Sequence, residues 1–188
     1  DGKTIGTQPD MLEYVTSRAA AWDCPVSIHA NTAAFSKHPR TADNLEVLRR
    51  WEEVRALCWL TEDQKKMLQN GDQEHILLIN EKKEFELVPY EQITDIAGGS
   101  NEIRAFTFSR NNEEYIVYWH ISGNRKLVLP LNTDDLMLMK EMGQEIRDDV
   151  QTDGSGTIVP AGDRRYIKTT RLTKDQLSDA FKNAKIIE

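Results

Sequence analysis

Cysteine is scarce in this 188-residue chain: Cys24 and Cys58 are the only two. There is no CxxC pair, HExxH motif or Cys/His cluster, which excludes the common zinc signatures. Long apolar runs are missing, and none approaches the roughly 20 residues that a membrane-spanning helix needs. Gly98-Gly99-Ser100 is not a phosphate loop, because the Lys-Ser/Thr pair and the following helix are absent. Basic charge is in deficit, with 24 Lys and Arg against 31 Asp and Glu and a formal net charge of −7. A broad nucleic-acid-binding surface needs the opposite balance, so nucleic acid is not an expected partner. The chain also lacks internal repeats, heptad runs and low-complexity segments. It begins Asp1-Gly2-Lys3 without the charged and apolar regions of a leader. The expectation is either a processed protein or a piece of a longer one.

What is present suits a folded domain. Hydrophobic residues make up 39% and charged residues 29%, close to the roughly 25% charge of ordinary folded domains. A chain of this length buries about 70% of its unfolded surface, so its core needs no disulfide or metal. Cys24 and Cys58, beside Trp22 and Trp59, are expected as buried free thiols.

The first 72 residues have helical texture. Pro9 and Asp10 open a helix over 9–22, with Met11, Tyr14, Val15, Arg18 and Trp22 at 3–4 spacing. Pro25 to Ala30 reads as a short strand, with Val26 and Ile28 on one side and Ser27 and His29 on the other. Residues 31–42 read as a long loop. Val47, Leu48, Trp51 and Val54 form the apolar stripe of a helix over 43–57. Thr61 and Gln64 form a capping box for a further helix that Asn70-Gly71 ends.

From about residue 73 the period becomes two. Residues 76–79 and 85–88 predict a hairpin. Residues 103–109, 114–121 and 126–130 predict a three-stranded meander. Thr133 predicts a capped helix over 134–148, with Met139, Met142 and Ile146 on one face, although Gly143 weakens it. Residues 157–160 and 165–169 predict a last hairpin. Thr173 and Gln176 cap a closing helix over 174–184.

The expected class is α+β: a helical and βα segment over 1–72, then an antiparallel β-sandwich-like domain over 73–188 with flanking helices. One strand makes no sheet. The order helix, short strand, long connection, helix is one step of a parallel α/β fold. In a (β/α)8 barrel the polar side of strand 25–30 would face the interior, and His29 would lie near the active-site mouth. A barrel needs about 250 residues, so the remainder would come from elsewhere.

The run Gln8-Pro9-Asp10-Met11-Leu12-Glu13-Tyr14-Val15 through Trp22-Asp23-Cys24-Pro25-Val26-Ser27 resembles the end of the catalytic barrel in glycoside hydrolases of gut-type bacteria. Trp51-Glu52-Glu53-Val54-Arg55 and Leu60-Thr61-Glu62-Asp63-Gln64-Lys65 resemble its exit helices. The β-rich remainder is similar to the antiparallel domain that often follows and braces such barrels. The resemblance implies a parent enzyme that hydrolyses glycosidic bonds in the periplasm or outside the cell. Its partners would be a carbohydrate and the rest of the barrel; no cofactor or metal is implied.

Glycosidases need two carboxyl groups flanking the scissile bond, one kept protonated. No such pair is legible here. Asp23 precedes the strand, and Glu52 and Glu53 read as solvated helix residues, so no catalytic residue is assigned to this chain. Candidate substrate-binding residues are His29, Asn31, His38 and Arg40 on the expected barrel rim. Tyr115, Tyr118 and Trp119 are a candidate aromatic ligand face, though core packing is the commoner role of such residues. If that face were exposed, a self-contained carbohydrate- or protein-binding module would be the alternative; if buried, a bracing domain.

Overall fold

A computed structural model describes residues 6–188. The described chain divides into two compact units. The first comprises the residues up to Ile79 together with Phe85–Pro89; the second comprises Asn80–Glu84 and Tyr90–Glu188.

The first unit holds four helices and a hairpin: α1 (Pro9–Ala21), α2 (Thr32–Lys37), α3 (Thr41–Ala56), α4 (Glu62–Asn70), β1 (His75–Ile79) and β2 (Phe85–Pro89). Pro9 opens α1, where its missing N–H costs nothing. The Thr61–Gln64 capping box forms as expected, and Gly71 ends α4 at φ 74°, a left-handed conformation natural to glycine. Ala20, Ala21, Val47, Trp51, Val54, Leu60, Leu68 and Leu77 build the core. The β1–β2 hairpin therefore belongs to the helical unit, not to the β-rich one beyond residue 72.

Three expectations fail in this unit. The loop over 31–42 contains α2, capped by Asn31, whose side chain accepts the Ala34 N–H at 2.7 Å. Residues 25–30 form no strand: the run is irregular, mostly exposed, and pairs with nothing. The thiols of Cys24 and Cys58 are free, as expected, but both residues are exposed rather than buried.

The second unit contains two antiparallel sheets. Its strands are β3 (Glu91–Gln92), β4 (Ile103–Arg110), β5 (Glu113–His120), β6 (Arg125–Leu129), β7 (Met137–Glu141), β8 (Gln144–Glu145), β9 (Gln151–Asp153), β10 (Gly156–Ala161), β11 (Arg165–Thr169) and β12 (Lys185–Ile187). One sheet has the order β3-β4-β5-β11-β7-β8 and the other β12-β6-β10-β9. Apolar side chains from both sheets share one core: Ile116, Tyr118 and Ile167 from the larger, Leu127, Leu129 and Val159 from the smaller. Helix α5 (Lys174–Lys182) adds Leu177 and Phe181 to it. This is the expected α+β class with a sandwich-like antiparallel unit.

Strand positions agree with the sequence better than strand partners. β4 and β5 pair in register from Ile103↔His120 to Arg110↔Glu113. The third strand of the expected meander, β6, pairs instead with β10 and β12. The second edge of β5 is taken by β11, so no place remains there for β6. β10 and β11 likewise lie in different sheets and form no hairpin. The expected helix over 134–148 is a 3-10 turn at Thr133–Asp135 followed by β7 and β8. Met137, Leu138 and Met139 pair with Lys168, Ile167 and Tyr166, and Gly143 turns the chain at φ 79°. Sheet pairing overrides a 3–4 spacing that an isolated segment could have used as a helix.

Candidate functional site

The site candidates of the first unit gather around the run 25–30. The backbone leaves α1 through Asp23, at φ 53°. Asp23 Oδ2 accepts from Lys65 Nζ at 2.9 Å, which ties this bend to α4. Three residues later the Val26 N–H donates to Glu52 Oε1 at 3.1 Å. Arg55 holds the same carboxylate from the next helical turn, with Nη2 at 2.9 Å and Nε at 3.1 Å from Oε2. Glu52 is therefore an anchor for the start of the run rather than a purely solvated residue. Its hydrogen bonds from Arg55, then from Val26, hold its carboxyl below the usual range. The signal for this role was the i,i+3 spacing of Glu52 and Arg55; nothing local pointed to Val26.

Beyond Val26 the backbone groups of Ser27, Ile28, His29 and Ala30 make no hydrogen bond with any described residue. These four residues are exposed. Beside them lies a groove of about 440 Å³ between the run, α1 and α3. Leu12 and Val15 of α1, Val26 and Ile28 of the run, and Leu45 and Leu48 of α3 supply most of its apolar wall. His29, His38, Thr41 and Asn44 supply polar groups. The Asn44 side chain donates from Nδ2 to the Thr7 carbonyl at 2.8 Å, and its Oδ1 is buried without a partner. His38 Nδ1 accepts the Arg40 N–H at 3.2 Å, and its Nε2 is likewise buried and unpartnered.

The four rim candidates therefore separate. His29 and His38 both line the groove. Asn31 is exposed, but its side-chain oxygen is engaged in capping α2. Arg40 is no exposed loop charge: only 2% of its surface is accessible, and Nη1 meets Asp43 Oδ2 at 3.4 Å. Sequence reasoning missed Asn44, which reads as an ordinary helix residue until the groove is seen.

The aromatic candidates are internal. Tyr115, Tyr118 and Trp119 are at most 1% accessible. Trp119 stacks on Phe106 with centroids 5.6 Å apart, and Tyr115 on Phe108 at 5.0 Å. Tyr118 meets Phe181 edge to face at 5.3 Å and donates to the Pro160 carbonyl at 2.9 Å. Burial raises the pKa of both tyrosines. A ring stacks on sugar only where its face is open, so these residues form no ligand face and serve as core.

The carboxyls of Glu52, Glu81, Glu113 and Asp153 are each pushed below their ordinary pKa by hydrogen-bond donors. None of these is the raised, protonated carboxyl that a glycosidase acid requires. Among the described residues no group of three or more His, Cys, Asp or Glu is placed to hold a metal ion. No described helix is long and apolar enough to cross a membrane. No protein-family model matches the chain, and no curated protein matches it.

Proposed function

We propose that this chain is the C-terminal portion of a glycoside hydrolase, contributing the last βα step of a catalytic barrel and an antiparallel accessory domain. The observation that carries this reading is the free backbone of Ser27–Ala30, set between α1 and α3. These four residues are exposed and their backbone groups pair with no described residue, so they are open to a strand supplied from elsewhere. The order helix, run, helix is that of a parallel α/β step, whose strands need neighbours on both sides. The resemblance of Gln8–Ser27 to the barrel end of glycoside hydrolases supplies the reaction class.

On this reading the substrate is a carbohydrate and the parent acts in the periplasm or outside the cell. His29 and Asn31, at the carboxyl end of the run, lie on the rim where barrel enzymes bind substrate. Asp23 and Glu52 are occupied by Lys65 and Arg55, so the acid and nucleophile come from another part of the parent. The isolated chain would then be inactive.

The test is the N-terminal boundary of the natural protein, followed by assay of the longer form against a panel of aryl glycosides. Hydrolysis by the longer form, and none by the present chain, is the expected result. Turnover by the present chain alone, or a natural protein beginning within a leader's length of Asp1, would overturn the reading.

A further inference from the structure

We propose that Cys24 and Cys58 form a reversible redox clasp: exchange with a small-molecule disulfide joins them and ties the start of the run 25–30 to the link between α3 and α4. The proposal is independent of the reaction class assigned above. Both thiols are free and exposed, so a soluble oxidant reaches them.

Three observations bring the two residues to one place. First, α1 and α3 run side by side in the same direction. At their starts Asn44 Nδ2 donates to the Thr7 carbonyl at 2.8 Å. Midway Trp51 Nε1 donates to Glu13 Oε2 at 2.5 Å, and past the end of α1 the Val26 N–H meets Glu52 Oε1 at 3.1 Å. The two C-terminal ends therefore lie at the same end of the unit, and each cysteine sits just past one of them.

Second, the two helices end alike. Asp23 after α1 and Cys58 after α3 are left-handed, at φ 53° and 49°. The next N–H then turns back onto the helix, Cys24 to the Ala19 carbonyl at 2.8 Å and Trp59 to the Val54 carbonyl at 2.9 Å. These closures keep each cysteine at its helix end. Third, Asp23, the neighbour of Cys24, is engaged from both sides of Cys58. Lys65 Nζ, after Cys58, meets Asp23 Oδ2 at 2.9 Å. Arg55, before Cys58, is bound chiefly by Glu52 and also feels the charges of Asp23 and Cys58. A disulfide needs its Cα atoms within about 7 Å. The chain after Cys24 supplies the adjustment, because Ser27–Ala30 make no backbone hydrogen bond with any described residue.

The exchange balances without a group held by the protein. One cysteine thiolate attacks a sulfur of the small disulfide, whose S–S bond breaks; a mixed disulfide forms and one small thiolate leaves. The other cysteine thiolate attacks the protein sulfur of that mixed disulfide and expels the second small thiolate. Two cysteine thiols are oxidised, one small disulfide is reduced to two thiols, and the protons pass from the former to the latter. Excess small thiol runs the sequence backwards.

The test incubates the reduced chain, at micromolar concentration, with glutathione disulfide and follows intact mass, non-reducing electrophoresis and peptide maps. A monomer lighter by two hydrogens, a Cys24–Cys58 cross-linked peptide pair and reversal by reduced glutathione are expected. Ring closure should be at least about tenfold faster in the folded chain than in concentrated urea, because the fold supplies the effective concentration. Cys24→Ser and Cys58→Ser should each stop at one lasting glutathione adduct. A parent chain that ends with glutathione on both cysteines, cross-links only between copies, does not react, or closes as fast in urea would overturn the proposal.

Discussion

Glu13 and Arg50 together occupy both backbone polar groups of Leu77 on the outer side of β1. Glu13 Oε2 accepts the Leu77 N–H at 3.3 Å, Arg50 Nη1 donates to the Leu77 carbonyl at 2.6 Å, and the two side chains meet at 3.5 Å. Glu13 also accepts from Trp51 Nε1 at 2.5 Å. Both residues are almost wholly buried. The pair thus does for β1 what a neighbouring strand would do, and ties α1, α3 and the hairpin to one point.

Removing one member leaves the other charge buried with its main counter-ion gone. Glu13→Ala should therefore destabilise the first unit by about 3–5 kcal/mol, read as a lower urea midpoint. Combining Glu13→Gln with Arg50→Met removes both charges and should recover part of that loss. A double variant no more stable than Glu13→Ala would show that the charge itself is not the source of the penalty.

The second unit should weaken in acid through Glu81. Arg110 grips this carboxylate with Nη1 at 2.8 Å and Nη2 at 2.9 Å, and these hydrogen bonds hold its pKa down at about 2. The folded pKa lies below that of the unfolded chain, so the folded state resists protonation. The stabilisation is complete above about pH 4.5 and is lost as pH falls toward 2. Solvent reaches 43% of the Glu81 side chain, so screening keeps the effect modest. Glu81→Gln should flatten the dependence of the urea midpoint on pH in that window. A profile unchanged by the substitution would remove Glu81 as its cause.

Gly156 opens β10 where no side chain fits. A Cβ there would overlap the backbone carbonyl of Leu129, on the strand that pairs with β10. Backbone in a paired strand cannot move aside without breaking its ladder. Gly156→Ala should cost about 1–3 kcal/mol, a typical penalty for enforced local strain. Gly154→Ala, whose added Cβ would meet nothing within 4 Å, is the control and should be near neutral.

Both thiols should titrate in the native chain. Cys24 and Cys58 are free and exposed, so a thiol-alkylating reagent should label both without denaturant. Slow or partial reaction that completes only in urea would contradict their exposure.

Local signals in the sequence were strong where one residue sets its own geometry. Thr61 with Gln64 and Thr173 with Gln176 marked two helix starts, and both boxes form. Gly71 marked a helix end through its left-handed conformation. Core packing was the commoner role expected of Tyr115, Tyr118 and Trp119, and all three are buried. The site was less legible. His29 and His38 were singled out, but Asn44 gained meaning only when α3 carried it to the groove. Arg40 read as a loop charge because burial has no local signature.

By itself the sequence determined the α+β class, most element positions and the change of texture near residue 73. Those follow from periodicity and capping, which act within a few residues. The tertiary structure decided which strands pair, that 134–148 turns back as strands, and that β6 and β10 leave the sheet of β5. It also decided that Ser27–Ala30 make no backbone hydrogen bond with any described residue beside a largely apolar groove. Each of these outcomes depends on competition between distant segments for the same hydrogen-bonding edge, and a local pattern carries no record of which segment wins.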